Sequence, residues 1–163
     1  MKRVTPYTLL LLIALGRCGW AGAVELAAPA PVVMVCEHGS VKSVMAASLF
    51  NRAAAERDLP FRAVARGVTP DKAVPPAIAA ALEKEGFAVK DFAPESISGA
   101  DVSNASRIIA IGVDPKSFGP IAQPIVETWN DVPAASTDYA AARTSLQQHV
   151  DALLADLERQ LKQ

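Results

Sequence analysis

The chain has 163 residues, 51% hydrophobic and 20% charged, a balance that suits one packed globular domain and is too apolar for intrinsic disorder. Sixteen Lys+Arg against 17 Asp+Glu leave a net charge of −1, which supplies no general basic field for nucleic acid. Met1-Lys2-Arg3, the apolar run Leu9 to Leu15 and the small-x-small site Ala21-Gly22-Ala23 predict a secretory signal peptide over residues 1–23. Its apolar run is too short to span a bilayer, so no stable membrane insertion is expected after cleavage. Cutting after Ala23 leaves 140 residues, and the loss of Lys2, Arg3 and Arg17 shifts the net charge to −4. Cys18 leaves too, so the exported chain, periplasmic or secreted, would carry Cys36 alone and form no internal disulfide.

Residues 24–31 are Ala/Pro-rich and read as a tether, with the domain following over 32–163. Val32-Val33-Met34-Val35 is an apolar run suited to a strand covered on both faces, and it ends at Cys36. After the polar turn Glu37 to Val41, Met45, Leu49 and Ala53 recur at helical spacing within Ser43 to Arg57. Phe61 to Gly67 is a second strand candidate. Thr69 to Pro76 supplies turn chemistry and a proline-led entry to a helix that carries Ile78, Ala81 and Leu82 and stops at Gly86. Arg107 to Ile111 reads as the third strand, and Pro124 to Trp129 as a fourth at the edge. Tyr139 to Leu161 is the longest helix, with Leu146, Val150, Leu153, Leu154, Leu157 and Leu161 on one stripe. Strands alternating with helices predict an α/β fold of three layers, a four-stranded parallel sheet with helices on both faces and ligands at the strand C-termini.

Cys36 falls at such a C-terminus, and Lys42-Ser43 opens the following helix, in the spacing C-x5-K-S. A loop of this length can turn successive backbone N–H groups inward at the positive end of the helix dipole, which suits a tetrahedral oxyanion. The candidate cradle is Glu37, His38, Gly39, Ser40, Val41 and Lys42. The same field would stabilise a Cys36 thiolate, with Ser43 donating to sulfur. Lys42 is unfavourable at a helix N-terminus unless an anion is present, so an anion is implied. Nucleophile and cradle together fit attack on a phosphate monoester, giving a cysteinyl-phosphate that water hydrolyses.

Val32 to Asn51, VVMVCEHGSVKSVMAASLFN, resembles the first strand, oxyanion loop and first helix of the low-molecular-weight protein tyrosine phosphatases and of the thiol-dependent arsenate reductases built on that fold. The resemblance extends more faintly to Arg107 to Ile111 and the turn Trp129 to Pro133. It implies that fold, hydrolysis of phosphate monoesters such as phosphotyrosine, no cofactor, and a phosphorylated protein or a small phosphate or arsenate oxyanion as partner. Two departures stand out. The family's loop is C-x5-R-S, with Lys42 here in place of arginine, and its Gly-Asn is replaced by His38-Gly39. A point charge grips an oxyanion less well than a planar fork. The family's general acid is an aspartate just before a proline after the last strand; Asp131 lies in the corresponding turn, separated from Pro133 by Val132, and is the candidate acid the resemblance implies. Asp114-Pro115 is a literal Asp-Pro pair, and a register that follows the reductases leaves Ala134 at the acid's place.

Other readings stay open beside this one: an arsenate reductase served by an external thiol, or a non-catalytic oxyanion- or phosphoprotein-binding module. The reductases relay oxidation through two further cysteines that the exported chain lacks. Val41 stands where a Walker loop needs its second glycine, and Cys36 with His38 has no second pair for a metal. Arg66 and Arg143 are expected in surface ion pairs, Trp129 in the core or at the site's rim, and His149 without a role.

Overall fold

The computed structural model describes residues 29–119 and 125–163. Segment 1–23, most of the 24–31 tether and Pro124 lie outside the described residues. The opening strand β1 (Val32–Cys36) pairs in parallel with β2 (Ala63–Gly67) on one side and β3 (Arg107–Ile111) on the other, and β3 pairs in parallel with β4 (Ile125–Trp129). The order β2-β1-β3-β4 puts β2 and β4 at the edges. Every residue of β1 and β3 is buried, as the apolar runs Val32–Val35 and Ile108–Ile111 require, with Arg107 at the start of β3 paired to Asp156, whereas β2 alternates buried with half-buried positions.

Alternation along β1 divides the core. Val32, Met34 and Cys36 turn to the face covered by α1 (Lys42–Glu56), α2 (Pro76–Lys84) and α4 (Tyr139–Leu161), where Phe50, Leu82, Leu146 and Leu154 are packed. Val33 and Val35 turn to the opposite face with Ile108, beneath Val102 of the short helix α3 (Gly99–Asn104). The chain runs from β1 outward to β2, then crosses back past β1 to β3. Successive strands thus lie on opposite sides of β1, and its C-terminal end is the point where the sheet opens a crevice for ligands.

Sequence boundaries shift by a residue or two. Helix α1 starts at Lys42, β2 at Ala63, and α2 ends at Lys84 before Gly86, whose φ of +85° closes the helix. Leu161 leaves the predicted stripe, 52% exposed as the last residue of α4. Helix α3 and a 3-10 turn over Pro115–Phe118 have no counterpart in the sequence reading. Helix α3 rests on a reciprocal cap: the Ser98 hydroxyl accepts from Asp101 N (3.1 Å) and the Asp101 carboxylate accepts from Ser98 N (2.9 Å). Among the described residues no helix is long and apolar enough to cross a membrane.

Candidate active site

The β1–α1 loop is held from outside by the connection that leaves β2. The carbonyls of Cys36, Glu37 and His38 accept hydrogen bonds from the N–H groups of Val68 (3.1 Å), Thr69 (2.8 Å) and Asp71 (3.0 Å). In a trans peptide the N–H opposes the carbonyl it shares a plane with, so the amides of Glu37, His38 and Gly39 turn away from that connection. Among the described residues, no backbone N–H from Glu37 through Val44 donates to a protein acceptor, and α1 makes its first bond at Met45 N to Val41 O (2.9 Å). No side chain caps α1 and no acid stands in its first turn. Gly39, Ser40, Ser43 and Val44 in this run are buried, and amides that turn together at a helix N-terminus have the geometry and the dipole that suit an anion.

Two glycines let the loop sit this close. Gly39 has φ +62°, and a Cβ there would lie 2.8 Å from Gly67 N; a Cβ on Gly67 would in turn lie 2.7 Å from Gly39 N. Below the loop, Cys36 is 5% exposed and its Sγ lies 3.2 Å from the hydroxyl of Ser43, itself fully buried. The Ser43 hydroxyl can donate to a thiolate there. Ser40, also buried, donates to Asp71 Oδ2 (2.5 Å), and Thr69 Oγ1 donates to Glu37 Oε1 (2.8 Å).

Above the thiol is a cavity of about 200 Å³. Cys36, Glu37, His38, Val41 and Lys42 line one side; Ile111, Gly112, Ala134, Ala135 and Ser136 line the other. The structure therefore brings the thiol and most of the predicted cradle to one space. It places three expected groups differently. Lys42 lines the cavity, yet its Nζ donates to the carbonyl of Val132 (2.7 Å), tying the loop to the segment after β4. Asp131 does not line the cavity: it is exposed, with Oδ1 2.8 Å from His149 Nε2, and this bond holds its carboxyl below the ordinary range. Asp114 caps the 3-10 turn, accepting from Lys116 N (2.9 Å), and borders a separate groove. Among the three acid positions considered from sequence, Ala134 is the one that faces the thiol's cavity, and it has no proton to give.

The remaining residues settle as follows. Trp129 is a core residue, 1% exposed, with Nε1 donating to Glu127 Oε1 (2.7 Å). His149 stacks on its ring at 4.7 Å and 13° while binding Asp131, a structural role that sequence did not assign. Arg66 pairs with Asp101 (3.1 Å) and Glu95 (3.2 Å), and Arg143 with Glu85 (2.7 Å). Sequence reading also missed Thr69 and Asp71, which steady the loop from more than thirty residues away; no local pattern marks them.

A comparison with curated proteins finds none that matches. Among solved structures, the chain is similar to YfkJ from Bacillus subtilis, at 19% identity and a TM-score of 0.69 over 81% of this chain and 96% of that one. It is similar also to the low molecular weight protein tyrosine phosphatase from T. tengcongensis, at 20% identity and a TM-score of 0.67 over 77% and 98%. A thioredoxin-dependent arsenate reductase from Corynebacterium glutamicum matches at 17% identity and a TM-score of 0.69, over 85% of this chain and 66% of that chain. These likenesses establish the shared fold. The family model for low molecular weight phosphotyrosine protein phosphatases matches residues 31–123, which contain the thiol, its loop and three of the four strands. With more than half of its length matched, the chain belongs to the low molecular weight phosphotyrosine protein phosphatase family.

Proposed function

We propose that this protein is a cysteine-dependent phosphatase that hydrolyses phosphate monoesters, phosphotyrosine among them, through a cysteinyl-phosphate at Cys36. The observation that carries the reading is the run of amides from Glu37 to Val44 with no protein acceptor, set around a thiol that meets a buried hydroxyl. Three equatorial oxygens of a phosphoryl group in transfer need several fixed donors, and backbone N–H groups supply them without reorganising. The sulfur then attacks phosphorus from the floor, and Ser43 donates to the sulfur as negative charge returns to it in the second step.

Lys42 lends its charge to the cavity from the side of Val132. With its single ammonium and an alanine-lined opposite wall, the site suits monoesters with stable leaving groups, such as aryl phosphates, over alkyl ones. The basic and apolar pattern of residues 1–23 supports a proposal that the enzyme works outside the cytoplasm.

The test is hydrolysis of an aryl phosphate by the native chain and by Cys36→Ser. Turnover that falls to background in the variant, with phosphate acting as a competitive inhibitor of the native chain, is the expected result. Phosphate binding without turnover would make the protein a binding module instead, and arsenite production from arsenate with added thiol would make it a reductase.

A further inference from the structure

The cavity's far wall lacks the carboxylate that monoester cleavage calls for, so the proton delivered to the leaving oxygen has to come from elsewhere. Two ionisable side chains besides the thiol and Lys42 line the space, Glu37 and His38, and both belong to the loop itself. Glu37 is engaged: its Oε1 accepts from Thr69 Oγ1 at 2.8 Å. His38 is held at one nitrogen only. Its Nδ1 lies 3.4 Å from the Thr69 carbonyl and 3.8 Å from Asp71 Oδ1, and no partner among the described residues meets Nε2.

Asp71 is fixed for this purpose on two further sides. Its Oδ2 accepts from the buried Ser40 hydroxyl (2.5 Å), and its backbone N–H donates to the carbonyl of His38 (3.0 Å). A carboxylate and a carbonyl facing Nδ1 favour the tautomer with the proton there, which leaves Nε2 to take up or release a proton. The other charges lining the cavity with the ring are Glu37 and Lys42 of the same loop; residues 134–136 of the opposing wall add none.

We propose, on the reading that Cys36 is a phosphatase nucleophile, that His38 is the site's proton-transfer residue and that Asp71 positions it. In the first step the Cys36 thiolate forms the S–P bond, the P–O bond to the leaving group breaks, and the departing oxygen takes the proton from Nε2 of the His38 imidazolium. In the second, water attacks the cysteinyl-phosphate and gives a proton to Nε2. The S–P bond breaks, its electron pair returns to sulfur, and inorganic phosphate leaves. Each cycle restores thiolate and imidazolium.

The experiment measures kcat/KM for phenyl phosphate and 2,4-dinitrophenyl phosphate across pH, in the native chain, His38→Gln and Asp71→Asn. Because the dinitrophenolate leaves without a proton, His38→Gln should lower kcat/KM about 100-fold for phenyl phosphate but under about threefold for the dinitrophenyl ester. The same variant should lose the limb of the phenyl phosphate profile that falls as imidazolium deprotonates. Asp71→Asn keeps the acceptor for Ser40 and removes the charge beside Nδ1. It should show the same leaving-group signature with KM little changed, and the double variant should lose no more than His38→Gln alone. Equal losses on both esters, or the signature appearing in Glu37→Gln instead of His38→Gln, would overturn the assignment while Cys36 chemistry stands. A native chain inactive on both esters would remove the underlying reading and this inference with it.

Discussion

Lysine at position 42 presents one ammonium where two phosphate oxygens would be met by a guanidinium fork, and in this structure that ammonium already has the Val132 carbonyl as a partner. Replacing it by arginine adds donors without removing charge. Lys42→Arg is therefore expected to raise aryl phosphate turnover about tenfold, equivalent to ~1.4 kcal/mol of transition-state stabilisation, and steady-state kinetics at fixed pH would check it; an unchanged or lower rate would count against the loop assignment. Gly39 is constrained more sharply, since it combines φ +62° with a 2.8 Å approach of any Cβ to Gly67 N. Left-handed backbone alone costs an alanine about 1–2 kcal/mol, so Gly39→Ala should lower stability by at least that amount in urea unfolding. It should also abolish phosphate protection of the thiol against alkylation, because the loop has to move to admit the methyl group. Residues 36 to 43 show in the sequence that a thiol meets a turn and a cation. They do not show that the cation binds a carbonyl ninety residues away.

Between elements, the end of α2 is tied to both α1 and α4. Glu85 accepts from Tyr139 Oη (2.8 Å) and Arg143 Nε (2.7 Å) of α4, and Arg52 of α1 lies 4.0 Å away while its own Nη1 donates to the Glu85 carbonyl (3.0 Å). Burial by itself would raise the Glu85 carboxyl, but the bonds from Arg143 and Tyr139 outweigh it and hold the group below its ordinary range. Burial and then the neighbouring carboxylate push the Tyr139 phenol upward, so it stays a donor throughout the accessible pH range. A carboxyl depressed in the folded state stabilises fully above its unfolded value, about 4.3, and that contribution disappears as pH falls through the folded value. The urea midpoint of native protein should thus exceed that of Glu85→Gln at pH 6–7, and the gap should shrink progressively below about pH 4.3. A pH-independent gap would mean that shape, not charge, is what Glu85 contributes. Helix α3 shows why element prediction stopped where it did: six residues span too few turns for a periodic signal, and a Ser98/Asp101 cap is the whole of its local signature.

Across the whole molecule, α4 packs along α1 and buries Leu146, Val150, Leu153, Leu154 and Leu157 in the core they share, while Leu161 at its last turn is exposed. Leu146→Ala removes a fully buried side chain and should cost about 2–5 kcal/mol. Leu161→Ala, at an equally apolar place in the stripe, should change stability by no more than about 0.5 kcal/mol, and paired denaturant melts would separate the two. The amino-acid sequence by itself determined the parallel α/β architecture, the four strands, the long final helix and the C-x5-K-S loop, because hydrophobic period and turn chemistry are local properties of a chain. Tertiary structure alone decided that Asp131 turns to His149, that Ala134 faces the thiol, that Lys42 reaches Val132, and that Asp71 and Thr69 hold the loop. Those outcomes depend on how a crossover brings distant segments to one strand end, where position is set by the packing of the sheet and not by separation along the chain.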